Sequence, residues 1–226
     1  MAKYSEVIYD IREGLKKYTD DSELDDRYIG YLLNAKRAKY LNQKLNQLGR
    51  NFNNIVLQTF CLETEVVSAN ECGLGFECDN MVRTKKPIPE TIQLIDKDAI
   101  ERISPSNRLS QKFNMIPREK APHYLNSPYS HKIKAFIHND GHIYFISSKM
   151  IFLECVTVSG VFFNPLDLQN YKDCCNCDDS NKCFDLDVTD YPLQSELLDL
   201  VRLEVIKELA GLDNIPEDKD NDAENK

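Results

Sequence analysis

The chain has 226 residues, 42% of them hydrophobic and 29% charged, which is enough for one good core with a small satellite. Its formal net charge of −9 and sequence pI near 5.0 argue against a DNA-coating or DNA-packaging role, which needs a basic face. No apolar run approaches the roughly 18 residues of a membrane helix. The start, Met1-Ala2-Lys3-Tyr4-Ser5-Glu6, lacks a signal-peptide pattern, so a soluble, unexported chain is expected.

The first predicted element is a helix from Ser5 to Tyr18, with Ser5 as its N-cap and Val7, Ile8, Ile11 and Leu15 at helical spacing. A polar turn, Thr19 to Glu23, leads to a longer helix from about Asp25 to Leu48. Its stripe is Ile29, Leu32, Leu33, Tyr40, Leu41, Leu45 and Leu48, and Gly49 can close it. From Arg27 to Leu62 there are six basic residues and no acidic one: Arg27, Lys36, Arg37, Lys39, Lys44 and Arg50. Bases in the body and end of a helix suit its dipole. The sharper alternative is a basic face turned toward an acidic partner or passing DNA.

After Gly49 the period changes to that of strands. Ile55 to Leu62 and Glu65 to Val67 read as strands, and Lys86-Pro87-Ile88-Pro89 as an extended segment. Asp96 to Pro128, with four prolines, predicts a long and mostly irregular excursion. Lys132–His138 and His142–Ser147 flank Asn139-Asp140-Gly141, a hairpin signature. A third strand, about Met150 to Phe163, is expected to continue the meander, and Gly160 within it to mark a bulge or bend. Asn164-Pro165 ends the sheet, and a final helix runs from Leu193 to Ala210 with Gly211 as its stop.

The resulting fold class is α+β. A helical hairpin over residues 1–50 is followed by a β-rich region over 51–192, an antiparallel meander with long irregular loops. A C-terminal helix over 193–212 precedes a flexible acidic tail over 213–226, which holds six acids against two lysines.

Chemistry-bearing motifs are sparse. Of eight cysteines, Cys61 and Cys155 fall in strand patterns and read as small buried hydrophobes. Residues 173–190 form a Cys/Asp-rich loop in which Cys174 and Cys177 have the two-residue gap of a zinc hairpin, and Cys183 follows five residues later. These three are candidate ligands of a structural zinc, with Cys175, Cys72 or Cys78 as a fourth. The alternatives are free thiols or a disulfide in the released particle. Asp178, Asp179, Asp185 and Asp187 lack the spacing and glycine of a calcium loop and read as solvated acids. His123, His131, His138 and His142 read as polar decoration, the last two beside the hairpin turn. No nucleophile elbow, phosphate loop or zinc-protease motif occurs, so no catalytic residue or organic cofactor is expected.

Two segments together resemble the structural proteins of crAss-like phages, podoviruses of gut Bacteroidales. One is Ile11-Arg12-Glu13-Gly14-Leu15-Lys16 followed by Tyr18 to Ile29, which passes through Asp-Asp-Ser to Asp-Arg-Tyr-Ile. The other is Gly160-Val161-Phe162-Phe163-Asn164-Pro165, then the Cys/Asp loop, then Asp190-Tyr191-Pro192-Leu193 and the last helix. The resemblance implies a virion protein of the head-to-tail connector, made in the bacterial host cytoplasm. It also implies a ring of about twelve copies, with the portal and adjacent ring proteins as partners. Viral DNA would pass through without sequence-specific binding, and no membrane is involved. The alternatives are another virion component (head-completion, tail-hub or cargo protein), a zinc-stabilised nucleic-acid-binding protein built on the cysteine cluster and the Arg27–Arg50 helix, and a phage enzyme of unknown class.

Overall fold

A computed structural model of the chain describes residues 2–18, 24–48, 54–68, 81–95, 98–107, 111–125, 133–137, 140–146, 153–171 and 189–211. The first helix, α1 (Tyr4–Leu15), buries Tyr4, Val7, Ile8, Ile11 and Leu15. It begins earlier than Ser5 because Lys3 caps it, and the Lys3 backbone N–H donates to the Glu6 carboxylate at 2.9 Å. The second, α2 (Asp26–Leu48), starts where the Asp25 carboxylate accepts the Arg27 N–H at 3.0 Å, an acidic side chain satisfying an orphan helix donor. The C-terminal helix, α4 (Ser195–Leu209), ends on Gly211, whose φ of 69° is the left-handed stop that glycine supplies. The three helices share one core with Val56, Ile92, Ala99, Val161, Tyr191 and Leu193. The expected N-terminal hairpin is thus completed by α4, which packs on both of its helices.

Seven strands form one sheet in the order β3-β7-β1-β2-β6-β5-β4. In chain order they are β1 (Gln58–Val67), β2 (Met81–Thr84), β3 (Ile100–Pro105), β4 (Asn114–Met115), β5 (Lys134–Ile137), β6 (Ile143–Ile146) and β7 (Cys155–Gly160). The long β1 joins two halves. Residues 58–63 pair with β7, and residues 64–67 pair with β2. The Asp140-Gly141 hairpin forms as its sequence predicts, with Gly141 at φ 77° and β5 antiparallel to β6. The next strand does not continue that meander, because β7 pairs with β1 and β3 while β6 pairs with β2. The short β4 runs parallel to β5.

The sheet curls around a core that takes residues from both halves, among them Phe60, Ile103, Phe113, Phe145, Val158 and Phe162. Phe60 and Phe162 meet edge-on at 5.3 Å between centroids, and Phe113 meets Phe145 in the same way at 5.4 Å. The curl brings the two edge strands together, and the Phe113 N–H donates to the Ile103 carbonyl at 2.8 Å. All four residues of β6 are buried, because a second cluster (Met81, Ala121, Phe136, Tyr144 and Ile146) covers the opposite face. The short helix α3 (Ala121–Leu125) supplies part of that cover.

The stretch 96–128 is more regular than its prolines suggest, since it contains β3, β4 and α3. Strand β3 escapes period-two patterning because Glu101 is an extra residue. Ile100 opposes Gly160 and Arg102 opposes Ser159, so Ile100 and Ile103 both enter the core despite odd spacing. The bulge expected within the Gly160 strand is absent from it, since β7 pairs with β1 in unbroken register; the irregularity lies opposite, in β3. A Cβ at Gly160 would lie 2.8 Å from the Ala99 carbonyl and 3.3 Å from the Ile100 Cα, both backbone atoms that can yield only if β3 moves. We expect Gly160→Ala to lower stability by about 1–3 kcal/mol, measured as the urea midpoint. An unchanged midpoint would mean that the bulge can relax away from β7.

Candidate assembly site

Arg37 lies fully buried between the helices and the sheet. Its spacing from Leu33 and Leu41, one helical turn each way, places it on the apolar face of α2. The guanidinium binds main chain from two other segments. Nη1 donates to the Phe162 carbonyl at 2.7 Å and Nε to the Pro192 carbonyl at 3.1 Å. The cation also lies 5.8 Å from the centroid of the Tyr191 ring. Burial lowers its pKa, opposed by Tyr191. Tyr191 in turn donates from its hydroxyl to Asn34 Oδ1 at 2.9 Å, and Asn34 donates to Asn164 Oδ1 at 2.9 Å. Asn164 caps the 3-10 turn Pro165–Asn170 and donates to Asp167 at 2.7 Å. One polar chain thus joins α2, the end of the sheet and the entry to α4.

Three other bases of α2 are also engaged within the chain, and Arg27 is exposed at its start. Lys36 pairs with Glu208 at 2.6 Å and with Glu204 at 3.8 Å, and Lys39 approaches Glu204 at 3.9 Å. Lys44 donates to Gln194. The basic cluster is therefore largely the dock for α4, not an outward basic face. The basic helix of the nucleic-acid reading has its bases largely turned to contacts within the chain. Arg50 lies outside the described residues.

Apolar side chains remain exposed on the helical layer. Leu200 and Leu203 on α4 are 50% and 55% exposed, and Tyr31 on α2 is 61% exposed. Along α2 run two adjoining hollows of about 360 and 460 Å³ that share Phe163. The first is lined by Arg27, Gly30, Tyr31 and Asn34, and the second by Ala35, Ala38, Asn42 and Glu90. A third hollow of about 640 Å³ lies at the sheet seam, between Ile100, Ile103, Phe113 and Met115.

Cys174, Cys177 and Cys183, the candidate zinc ligands, lie outside the described residues, as do Cys72, Cys78, Cys175, the loop acids Asp178 to Asp187, and the 213–226 tail. Cys61 and Cys155 are half-buried on the paired strands β1 and β7. Among the described residues, no group of three or more His, Cys, Asp or Glu is placed to hold a metal ion. His142 contacts the Thr84 carbonyl through Nδ1 at 2.6 Å, and His123 packs edge-on to Tyr124. His131 and His138 are outside the described residues. No described helix is long and apolar enough to cross a membrane.

Two comparisons bear on this architecture. A family model described as phage tail ring protein 2 matches residues 6–226. "Ring protein 2" of Bacteroides phage crAss001 is 25% identical over 229 residues, covering 97% of this chain and 96% of that protein.

The junction makes two predictions. Arg37→Met leaves the Phe162 and Pro192 carbonyls without their donor and should destabilise the protein by about 2–4 kcal/mol. Arg37→Lys should do no better, because a point ammonium cannot span both carbonyls. A denaturation midpoint within about 0.5 kcal/mol of wild type for Arg37→Met would show that the clamp is dispensable. The second concerns Asp167, whose pKa is raised by burial against the pull of Asn164, with Glu90 adding to the rise. A folded pKa above the unfolded one makes this group's contribution fully present below the unfolded value of about 3.9, and it is lost as pH rises through the folded value. Asp167→Asn, which keeps an acceptor for Asn164, should therefore raise the midpoint at pH 7, with the gain vanishing near pH 4. A gain that persists at low pH would contradict the assignment.

Proposed function

This chain belongs to the family of phage tail ring protein 2, whose members are structural proteins and not enzymes, and from that membership we propose that its copies close into a ring in the head-to-tail connector of a tailed phage. The ring lies beside the portal and adjoining ring proteins, around the channel that delivers the genome. The family match across nearly the whole chain carries this reading. It spans both ends of the sequence, which carry the resemblance to crAss-like phage proteins, and the β-rich middle between them.

Other features support it. The helical layer keeps large apolar side chains in solvent, as a subunit waiting for neighbours would. Most bases of α2 make contacts within the chain, and the chain's net charge is −9. Such a lining would repel DNA and let it pass without sequence-specific binding. A closed ring of about twelve copies uses head-to-tail contacts, which need no self-complementary patch. The ring is a virion part, assembled in the host cytoplasm before release.

The measurement that tests this is particle mass by mass photometry, for the protein alone and mixed with the phage portal. Closed oligomers, or stoichiometric loading on the portal, are expected. A chain that stays monomeric in both conditions would refute the portal-proximal ring.

A further inference from the structure

Cys61 is one half of a disulfide. Of the eight cysteines, Cys61 and Cys155 are the two that lie among the described residues, and Cys155 carries a thiol. The partner of Cys61 is therefore one of Cys72, Cys78, Cys174, Cys175, Cys177 and Cys183. The surroundings of β1 separate these candidates.

Cys61 sits on the outer face of the sheet. Its neighbours Phe60 and Leu62 enter the core, so alternation turns Cys61 the other way, beside Ser106 Oγ at 3.4 Å and Thr157 Oγ1 at 3.6 Å. The connection that holds Cys72 and Cys78 leaves the sheet far from this point. It starts after Val67 and returns at Met81, which oppose each other across β1 and β2. Val67 is six residues beyond Cys61, about 20 Å along a strand. Cys78 is three residues before Met81, a reach of about 11 Å, and a disulfide needs its Cα atoms within about 7 Å. Cys78 falls short. Cys72, five residues after Val67, would need about four of those residues extended straight back along β1, which leaves too few for the reversal.

The Cys/Asp-rich segment begins much nearer. Tyr171, the last described residue before it, packs its ring 4.8 Å from that of Phe60 between centroids. Its hydroxyl donates to the Pro87 carbonyl at 2.9 Å. That is the open margin of β1. Residues 58–63 pair with β7 on one side, and β2 takes the other side only from Thr64 onward. Chain leaving Tyr171 has this margin as its route from the core face to the outer face. Cys174, Cys175 and Cys177 follow Tyr171 by three, four and six residues, whereas Cys183 is twelve residues on.

We infer that the disulfide of Cys61 is made with the Cys174–Cys177 run, so that a covalent strap crosses the open margin of β1 and fastens the Cys/Asp-rich segment to the sheet. Cytoplasmic thiols stay reduced, so a chain assembled in the host holds Cys61 as a thiol and closes the strap after release. A small-molecule disulfide suffices as oxidant. The Cys61 thiolate attacks one of its sulfurs and expels a thiolate, and a thiolate of the run then attacks Cys61 Sγ and expels the second. Two protein thiols and one small disulfide become one protein disulfide and two small thiols.

The test uses the full chain, reduced and then equilibrated with oxidised glutathione. Remaining thiols are alkylated, and the chain is cut with trypsin and a glutamate-specific protease. Glu63, Glu71 and Glu77 separate Cys61 from Cys72 and Cys78, and Lys172 and Lys182 bound the run without Cys183. Mass spectrometry should find the Cys61 peptide joined to the 173–182 peptide. Cys72→Ser with Cys78→Ser should leave that link at its wild-type yield. A link from Cys61 to Cys72, Cys78 or Cys183 would overturn the inference. So would a Cys61 that is still fully alkylated after oxidation. The strap is independent of the ring reading, which particle mass tests separately.

Discussion

The buried guanidinium of Arg37 is the contact on which the rest of the molecule depends. A cation placed at 0% exposure meets a large desolvation penalty, and among the described residues no carboxylate pairs with it. Carbonyl dipoles from Phe162 and Pro192 and the face of Tyr191 compensate it. Those two carbonyls belong to the end of the sheet and the entry to α4. The charge is therefore satisfied only when helix, sheet and C-terminal segment are together. Nη2 lacks a hydrogen-bond partner among the described residues, so the site is not over-satisfied, and losing either carbonyl would be felt. Such a site contributes less through net energy than through uniqueness, since few alternative packings of α2 give the cation two acceptors.

This arrangement explains how the charges of the chain divide. A run of bases with no acid, from Arg27 to Leu62, resembles a binding face in one dimension. In three dimensions Arg37 points inward and Lys36 and Lys39 turn to α4. The acids that answer them, Glu204 and Glu208, lie more than 160 residues away in sequence. Ion pairs of this exposed kind are individually weak, but they orient α4 on α2 and leave its Leu200/Leu203 ridge outward. The electrostatics of the helical layer position an apolar surface.

How much was legible followed from what each element uses to define itself. The stripe Val7, Ile8, Ile11 and Leu15 is buried as its spacing required, as are Ile29, Leu32, Leu33, Leu41 and Leu45 in α2, because helical period is written in contiguous residues. The Asp140-Gly141 turn was legible for the same reason. Strand β3 was not, because Glu101 breaks alternation at the bulge. The partners of β7 were not, because local patterning says nothing of which distant strand a segment will meet. In sequence Arg37 is one charge in a cluster. Its position between Leu33 and Leu41 on the apolar stripe was the available sign that it is buried.

Free strand edges are a hazard that this sheet answers. Contacts that are not self-complementary can close into rings or run on as filaments, and free strand edges invite the second outcome. Here the two edge strands β3 and β4 are folded toward each other and pinned by the Phe113 N–H to the Ile103 carbonyl. Strand β3 ends in Pro105, which has no N–H to offer, and β4 is two residues long. The edges are thereby poor templates for another chain. Exposed apolar side chains lie instead on the helical layer, Leu200 and Leu203 among them. The Arg37 junction holds that layer to the sheet.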